Sequence, residues 1–298
     1  MFSPKKSILA LFLSTLLILL STNSLAQRVE IKPAKLTLNA QLQLAEGKKL
    51  SDGIVLLTHG TLAHNGMEII KGLQSLLAEN EVSTLAINLS LGVDNREGFY
   101  DCKVPHQHQH EDAATEISAW VNWLKSQGVK NITLAGHSRG GNQTAWFASE
   151  QSMENIDKLV LIAPMIWSFE AANKEYKKKY NKEVKAVFEQ AKAANKAAFL
   201  EHTDFIYCKD SQVQAAAFIS YYKNEARLDT PYLLNKISKP ILIIAGSEDK
   251  VVKGLIKKVE PLADGDKIRF TIIEGAGHMF MDLYLEELVE TMLEFLAE

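Results

Sequence analysis

The sequence is poor in cysteine, nearly balanced in charge and free of repeats. Cys102 and Cys208 are the only cysteines among 298 residues, so at most one disulfide can form within the chain. Neither follows the apolar run near the N-terminus, which argues against a lipid-modified bacterial lipoprotein. Against 36 acidic residues stand 33 lysines and arginines, a formal charge of −3 that offers nothing to attract nucleic acid. No repeat of roughly 20–50 residues recurs, which removes solenoids and propellers. With 47% apolar and 23% charged residues the composition is that of a globular protein, long enough for one catalytic domain and an insertion.

The N-terminus stands apart. Lys5 and Lys6 precede an almost unbroken apolar run, Ile8 to Leu20, and Ser24-Leu25-Ala26 places small residues before Gln27. This is the pattern of a secretory signal peptide, residues 1–26, cleaved after Ala26. An uncleaved anchor is the alternative, and the short apolar core and good cleavage site weigh against it. The expectation is export to the periplasm or beyond, with the formal charge moving from −3 to −5 on cleavage. In an oxidising compartment Cys102 and Cys208 could pair, tying a loop of the core to an inserted segment; two free buried thiols are the alternative.

Beyond residue 27, short apolar runs alternate with helical periodicity. Residues 29–45 suit a strand pair at a sheet edge. Continuous apolar runs at 54–58, 82–89, 159–163, 241–245 and 267–273 read as strands buried on both faces. Helical patterns at 66–79, 111–126, 142–151 and 284–296 fall between and after them. Such alternation means a mostly parallel central sheet with helices on both faces. Between Trp167 and Lys236 the rhythm breaks. Lys177 to Lys179 open a lysine-rich stretch with helical spacing, and an alanine-rich helix is expected over 211–223. Residues 168–236 are therefore expected to form a helical cap over the carboxyl edge of the sheet, inserted into a core of 27–167 and 237–298. Its lysines could bind anionic lipid, but a solvated helical face is the plainer reading.

The stretch from Asn131 to Gly141 organises the rest. A β-branched strand runs into Gly136-His137-Ser138-Arg139-Gly140, and a helix follows at once, which is G-x-S-x-G in its meaningful context. Side chains at 136 and 140 would clash where strand folds onto helix, while the turn lifts the Ser138 hydroxyl into the open. Two further turns follow strands directly: Gly246 to Asp249, and Gly275 to His278. Both lie at carboxyl strand ends, where open parallel sheets place their ligands. A serine is a weak nucleophile that needs an imidazole as base, which in turn needs a carboxylate to orient it. Serine, acid and histidine occur here in that chain order.

At this point residues 50–298 resemble the α/β-hydrolase family. His59-Gly60-Thr61 looks like its oxyanion turn, residues 136–140 its nucleophile elbow, Gly246 to Asp249 its acid turn and Gly277-His278 its base loop. The resemblance implies Ser138 as nucleophile, His278 as base and then acid, Asp249 as its orienter, and the backbone N–H groups of Thr61 and Arg139 as oxyanion donors. It implies no metal and no cofactor. Glu248 is the weaker alternative for the acid, His137 is expected to pack rather than react, and His59 to brace the oxyanion turn.

His106, His108 and His110 share one face of an extended chain and could converge on a metal; they could instead line the substrate mouth or pack beneath the insertion. The function expected is an exported serine hydrolase acting on a small-molecule carboxylic ester or related acyl bond, with membrane association not favoured. The competing readings are a non-catalytic binding protein of the same fold, which would need no triad, and an interfacial lipase.

Overall fold

The computed structural model describes residues 26–151 and 154–298. The signal-peptide expectation thus falls, Ala26 excepted, outside the described residues. The strands are β1 (Gln27–Ile31), β2 (Leu38–Gln43), β3 (Ile54–Thr58), β4 (Thr84–Asn88), β5 (Ile132–His137) and β6 (Ile156–Ile162), then β7 (Phe199–Phe205), β8 (Cys208–Gln214), β9 (Ile241–Gly246) and β10 (Ile268–Ile273). All but β7 and β8 form one sheet in the order β1-β2-β4-β3-β5-β6-β9-β10. The β1–β2 and β2–β4 pairs are antiparallel and the rest parallel. Every residue of β3, β4, β5 and β9 is buried, as their unbroken apolar runs require when helices cover both faces.

The helices between these strands include α1 (Glu68–Glu79), α2 (Asp112–Ser126), α3 (Arg139–Glu150) and the short α8 (Leu255–Val259); α9 (Leu283–Leu296) follows β10. Helices α1 and α2 bury one stripe each, Ile69, Ile70, Leu73 and Leu77 in α1 and Ile117, Trp120, Val121 and Leu124 in α2, whereas α3 is buried all round from Gly140 to Ala148. Helix α1 packs against α9, and α2 against α3.

Register sets the level at which the strands end. Thr58 pairs with Gly136, and Gly246 with Ile273, so the turns that follow these strands emerge along one edge of the sheet. Long β-branched and leucine runs thus do more than fill the core. They align the loops that carry the polar chemistry.

Over that edge lies the insertion, comprising α4 (Phe169–Tyr180), α5 (Val184–Ala193), the β7–β8 hairpin and α6 (Ala215–Tyr222); α7 (Thr230–Leu234), within the expected cap, instead packs back on α3, with Leu233 and Leu234 in the main core. It has its own apolar centre, with Tyr176, Val184, Leu200, Phe205, Val213 and Phe218. Helix α4 is capped by the Ser168 hydroxyl, which accepts from Ala171 N–H at 3.1 Å, and ends at Asn181 in the left-handed region. Lys177, Lys178 and Lys179 occupy its last turn, where they complement the helix dipole.

The hairpin corrects the helical reading of 211–223: the chain up to Gln214 is strand, and the helix begins only at Ala215. Two register irregularities, between Leu200 and Thr203 and between Thr203 and Phe205, interrupt the period-two alternation that would have marked β7.

Cys102 and Cys208 are joined, with Cα atoms 5.3 Å apart. The bridge ties the loop after β4 to the first residue of β8. Beside it, His106 N–H donates to the Gln212 carbonyl and Gln214 N–H to the His106 carbonyl, each at 2.8 Å. The loop is thus sewn to the insertion covalently and by backbone pairing.

Candidate active site

Where β5 turns into α3, Ser138 sits at φ 58° and ψ −122°, a conformation costly for a residue with a side chain. Neighbouring backbone holds it there. Ser138 N–H donates to the Ile162 carbonyl at 2.9 Å, and the Ser138 carbonyl accepts from Met165 N–H at 2.9 Å and Gly141 N–H at 3.0 Å. Gly136 is obligatory because a Cβ there would lie 2.5 Å from the Gly140 carbonyl oxygen. At Gly140 a Cβ would run into the carbonyls of Thr58 and His59. The two glycines let the oxyanion turn, the elbow and α3 close on one another.

Three side chains from three strand ends meet at this turn. His278 Nε2 is 2.9 Å from Ser138 Oγ, and His278 Nδ1 is 2.7 Å from Asp249 Oδ2. Asp249 Oδ1 accepts from Val251 N–H at 2.7 Å and Val252 N–H at 3.1 Å. Burial opposes ionisation of Asp249, but the His278 contact and these two N–H donors outweigh it, and its carboxyl is held below the usual carboxylate range. Glu248, the alternative acid, is exposed, and Asp249 is the carboxylate on His278. The acid turn and base loop are stitched together, Glu248 N–H donating to the Ala276 carbonyl at 3.0 Å and Gly275 N–H to Ser247 Oγ at 2.8 Å. Among the described residues, no acceptor takes the backbone N–H of Thr61 or of Arg139. Both residues border the cavity that opens at Ser138.

A family model described as serine aminopeptidase, S33, matches residues 50–282. The chain belongs to this family of α/β hydrolases. It is 31% identical over 170 residues to a Mycoplasma pneumoniae protein named Putative esterase/lipase 2, covering 53% of this chain and 60% of that one. To the protein of the same name from Mycoplasma genitalium it is 29% identical, over 66% of this chain and 78% of that one. Among solved structures, the ferulic acid complex of Est1E from Butyrivibrio proteoclasticus superposes with a TM-score of 0.64 at 21% identity, over 91% of this chain and all of that one. The α/β hydrolase GrgF from a Penicillium species does so with 0.64 at 18%, over 91% and 97% of the two chains. At such identities the superpositions speak for the fold.

Two histidines beside the site, His59 and His137, brace the backbone turns around it. His59 Nδ1–H donates to the Gly60 carbonyl at 2.9 Å, while its Nε2 accepts from Leu89 N–H at 3.0 Å. His137 Nε2–H donates to the His278 carbonyl at 2.9 Å and so braces the base loop. Burial lowers their pKa values, to about 3 for His59 and about 4 for His137, which keeps both neutral.

His106, His108 and His110 are fully buried and line neither cavity beside Ser138, so the expectation that they form the substrate mouth is corrected. They pack beneath the insertion. His106 Nδ1 lies 3.2 Å from His108 Nε2, whose ring in turn meets the Tyr221 hydroxyl at 2.8 Å. His110 packs against the same Tyr221 ring as His108, and its Nε2–H donates to Asn142 Oδ1 at 2.9 Å. Among the described residues no group of three metal-ligating side chains converges.

Sequence reasoning missed two arginines. Arg96 is buried and donates to the carbonyls of Leu89, Ala63 and Gly98 and to Asn88 Oδ1, stitching the loop after β4 onto the oxyanion turn. Arg139 is noted in the sequence only for its backbone. Its side chain donates from Nε to Thr61 Oγ1 at 3.0 Å and from Nη1 to His110 Nδ1 at 3.1 Å, with its guanidinium 5.1 Å from the Tyr221 ring centroid. The residue bearing one free N–H thus holds the residue bearing the other.

Two cavities open at Ser138. One, of about 280 Å³, is bounded by Leu62, Met67, Ile69, Ile70, Phe99 and Met279 and includes His278. The other, of about 610 Å³, runs under the cap past Thr61 and Arg139.

Proposed function

We propose that this chain is an exported serine hydrolase that cleaves carboxylic esters through an acyl-enzyme. The observation that carries the reading is the relay from Ser138 through His278 to Asp249, with contacts of 2.9 and 2.7 Å. Ser138 Oγ attacks the ester carbonyl while its proton passes to His278 Nε2. The Asp249 carboxylate orients the imidazole and stabilises its cationic form. The carbonyl oxygen, now anionic, takes the N–H groups of Thr61 and Arg139. Collapse of the tetrahedral adduct breaks the acyl–oxygen bond, and the departing alkoxide takes the proton from His278. Water then gives a proton to His278 as it attacks the acyl carbonyl; the acid leaves and Ser138 Oγ regains its proton.

The esterase/lipase names of the Mycoplasma relatives favour an ester over an amide. Export is supported by the Cys102–Cys208 bridge, which oxidising compartments preserve. A binding protein of the same fold would need no aligned relay, and an interfacial lipase is not favoured by lysines that complement a helix dipole. The test is hydrolysis of p-nitrophenyl esters of graded acyl length by the purified protein and by Ser138→Ala. Turnover lost in the variant supports the reading; equal turnover by both proteins would refute it.

A further inference from the structure

The two cavities share Thr61, Ser138 and Tyr207, but only the smaller one is lined by His278 and only the larger by Arg139. This asymmetry assigns the two halves of an ester. The departing alkoxide takes its proton from His278 Nε2, so the alcohol half must lie on the imidazole side. That side is the apolar cavity of about 280 Å³. The acyl half then extends past Arg139 into the cavity of about 610 Å³ under the cap.

The larger cavity has a marked charge. Lys178 and Lys179 reach it from α4, and Lys250, Lys253 and Lys258 from the segment after β9, while Glu175 is the one carboxylate on the lining. Lys258 is paired with Asp229 at 2.9 Å, and Lys179 donates to the Ile206 carbonyl at 3.0 Å. Lys178, Lys250 and Lys253 are exposed and have no hydrogen-bond or ion-pair partner among the described residues. Cap and core therefore bring unpaired cations to one cavity on a protein whose formal charge is −3. Trp167, Tyr180, Tyr207 and Tyr222 supply aromatic wall between them. Like charges around a concave, partly apolar space repel one another and attract an anion.

We infer that the natural substrate is an ester of a small apolar alcohol with an aromatic acid that carries a second, anionic group. The inference rests on Ser138 as nucleophile. Its aromatic ring lies along the tyrosines and tryptophan, and its carboxylate meets Lys178, Lys250 and Lys253.

The experiment compares kcat/KM for monomethyl terephthalate with that for methyl 4-carbamoylbenzoate, its uncharged isostere, at low ionic strength. The charged ester should be favoured about tenfold or more, and the ratio should fall toward unity in 0.5 M salt, roughly the regime where screening acts within a few Å. Lys→Gln changes at 178, 250 and 253, checked for an unchanged melting temperature, should each lower the ratio by about two- to fivefold. A ratio at or below unity in the unaltered protein, or one that survives the triple variant, overturns the inference. So does preference for 4-acetoxybenzoate, in which the charge sits on the alcohol half. Binding to anionic lipid vesicles that depends on the three lysines, together with a ratio of unity, would make them a membrane surface instead. Failure to cleave either ester while Ser138 still reacts with a fluorophosphonate sinks this substrate class alone; failure to react at all sinks the hydrolase reading with it.

Discussion

Replacing Arg139 by alanine should separate the two tasks of this side chain. The substitution leaves the backbone N–H of residue 139 in place but removes the bonds to Thr61 Oγ1 and His110 Nδ1. Thr61 Oγ1 borders the cavity and can turn to water, whereas His110 is fully buried and its Nδ1 loses its donor. A charge-assisted bond and an abandoned buried acceptor together cost about 3 kcal/mol, which lowers the melting temperature by roughly 6–10 °C in a domain of this size. On catalysis, deleting an oxyanion donor outright costs about 10²–10³ in kcat. Here the Thr61 donor is loosened rather than deleted, so kcat toward an uncharged ester should fall about tenfold with little change in KM. Thr61→Val removes the acceptor while keeping both N–H groups and the His110 bond. It should reproduce the loss in kcat without the loss in stability, and the double variant should be no slower than Arg139→Ala. Steady-state kinetics and thermal unfolding of the three variants decide the matter. Normal kcat in Thr61→Val, or additive losses in the double variant, would refute the idea that Arg139 fixes the oxyanion turn.

Other consequences follow from the same contacts. Asp249→Asn keeps the shape but removes the charge beside His278, and kcat should fall about 10³–10⁴-fold with thermal stability nearly unchanged; a loss under tenfold would contradict its role. Replacing both cysteines by serine removes a bridge spanning 106 positions, worth about 5 kcal/mol in the chain-entropy model. Unfolding should shift down by more than about 10 °C, while activity at 25 °C survives because backbone pairing at His106 still holds the loop; an unshifted transition would contradict this. Stability should also decline on acidification. Burial puts His59 and His108 at about 3 and His106 and His137 at about 4, below the 6.5 of an unfolded chain. Between those values the unfolded state binds more protons, so the stability is complete above about pH 6.5 and each imidazole withdraws about 2 kcal/mol by pH 5. Glu116, raised to about 7 by burial, and Asp112, also raised by burial, act in the opposite sense but are two groups against four imidazoles. Urea midpoints at pH 7.5, 6 and 5 should fall in that order; a flat or rising series would contradict the account.

How much of this was legible in the sequence depended on whether a constraint was local. Buried parallel strands announce themselves as unbroken apolar runs, and the elbow is marked by glycines that no other residue can replace. The turns carrying Ser138, Asp249 and His278 each follow such a strand, so their convergence could be anticipated from the sheet alone. The β7–β8 hairpin was not legible because its register shifts erase the alternation that marks a strand. Arg96 and the Arg139 side chain act between loops distant in sequence, and nothing in their neighbours' spacing reveals it. The histidine run left metal, mouth and packing readings open for a related reason: the insertion residues that bury it, Phe205, Ser220 and Tyr221 among them, lie about 100 residues further on, and nothing local shows where they settle.

The central claim, an activated serine at position 138, is tested most directly by intact-mass analysis after exposure to a fluorophosphonate, with Ser138→Ala as control. The account predicts one adduct on the unaltered protein and none on the variant. No adduct on the unaltered protein, or the same adduct on both, would contradict it.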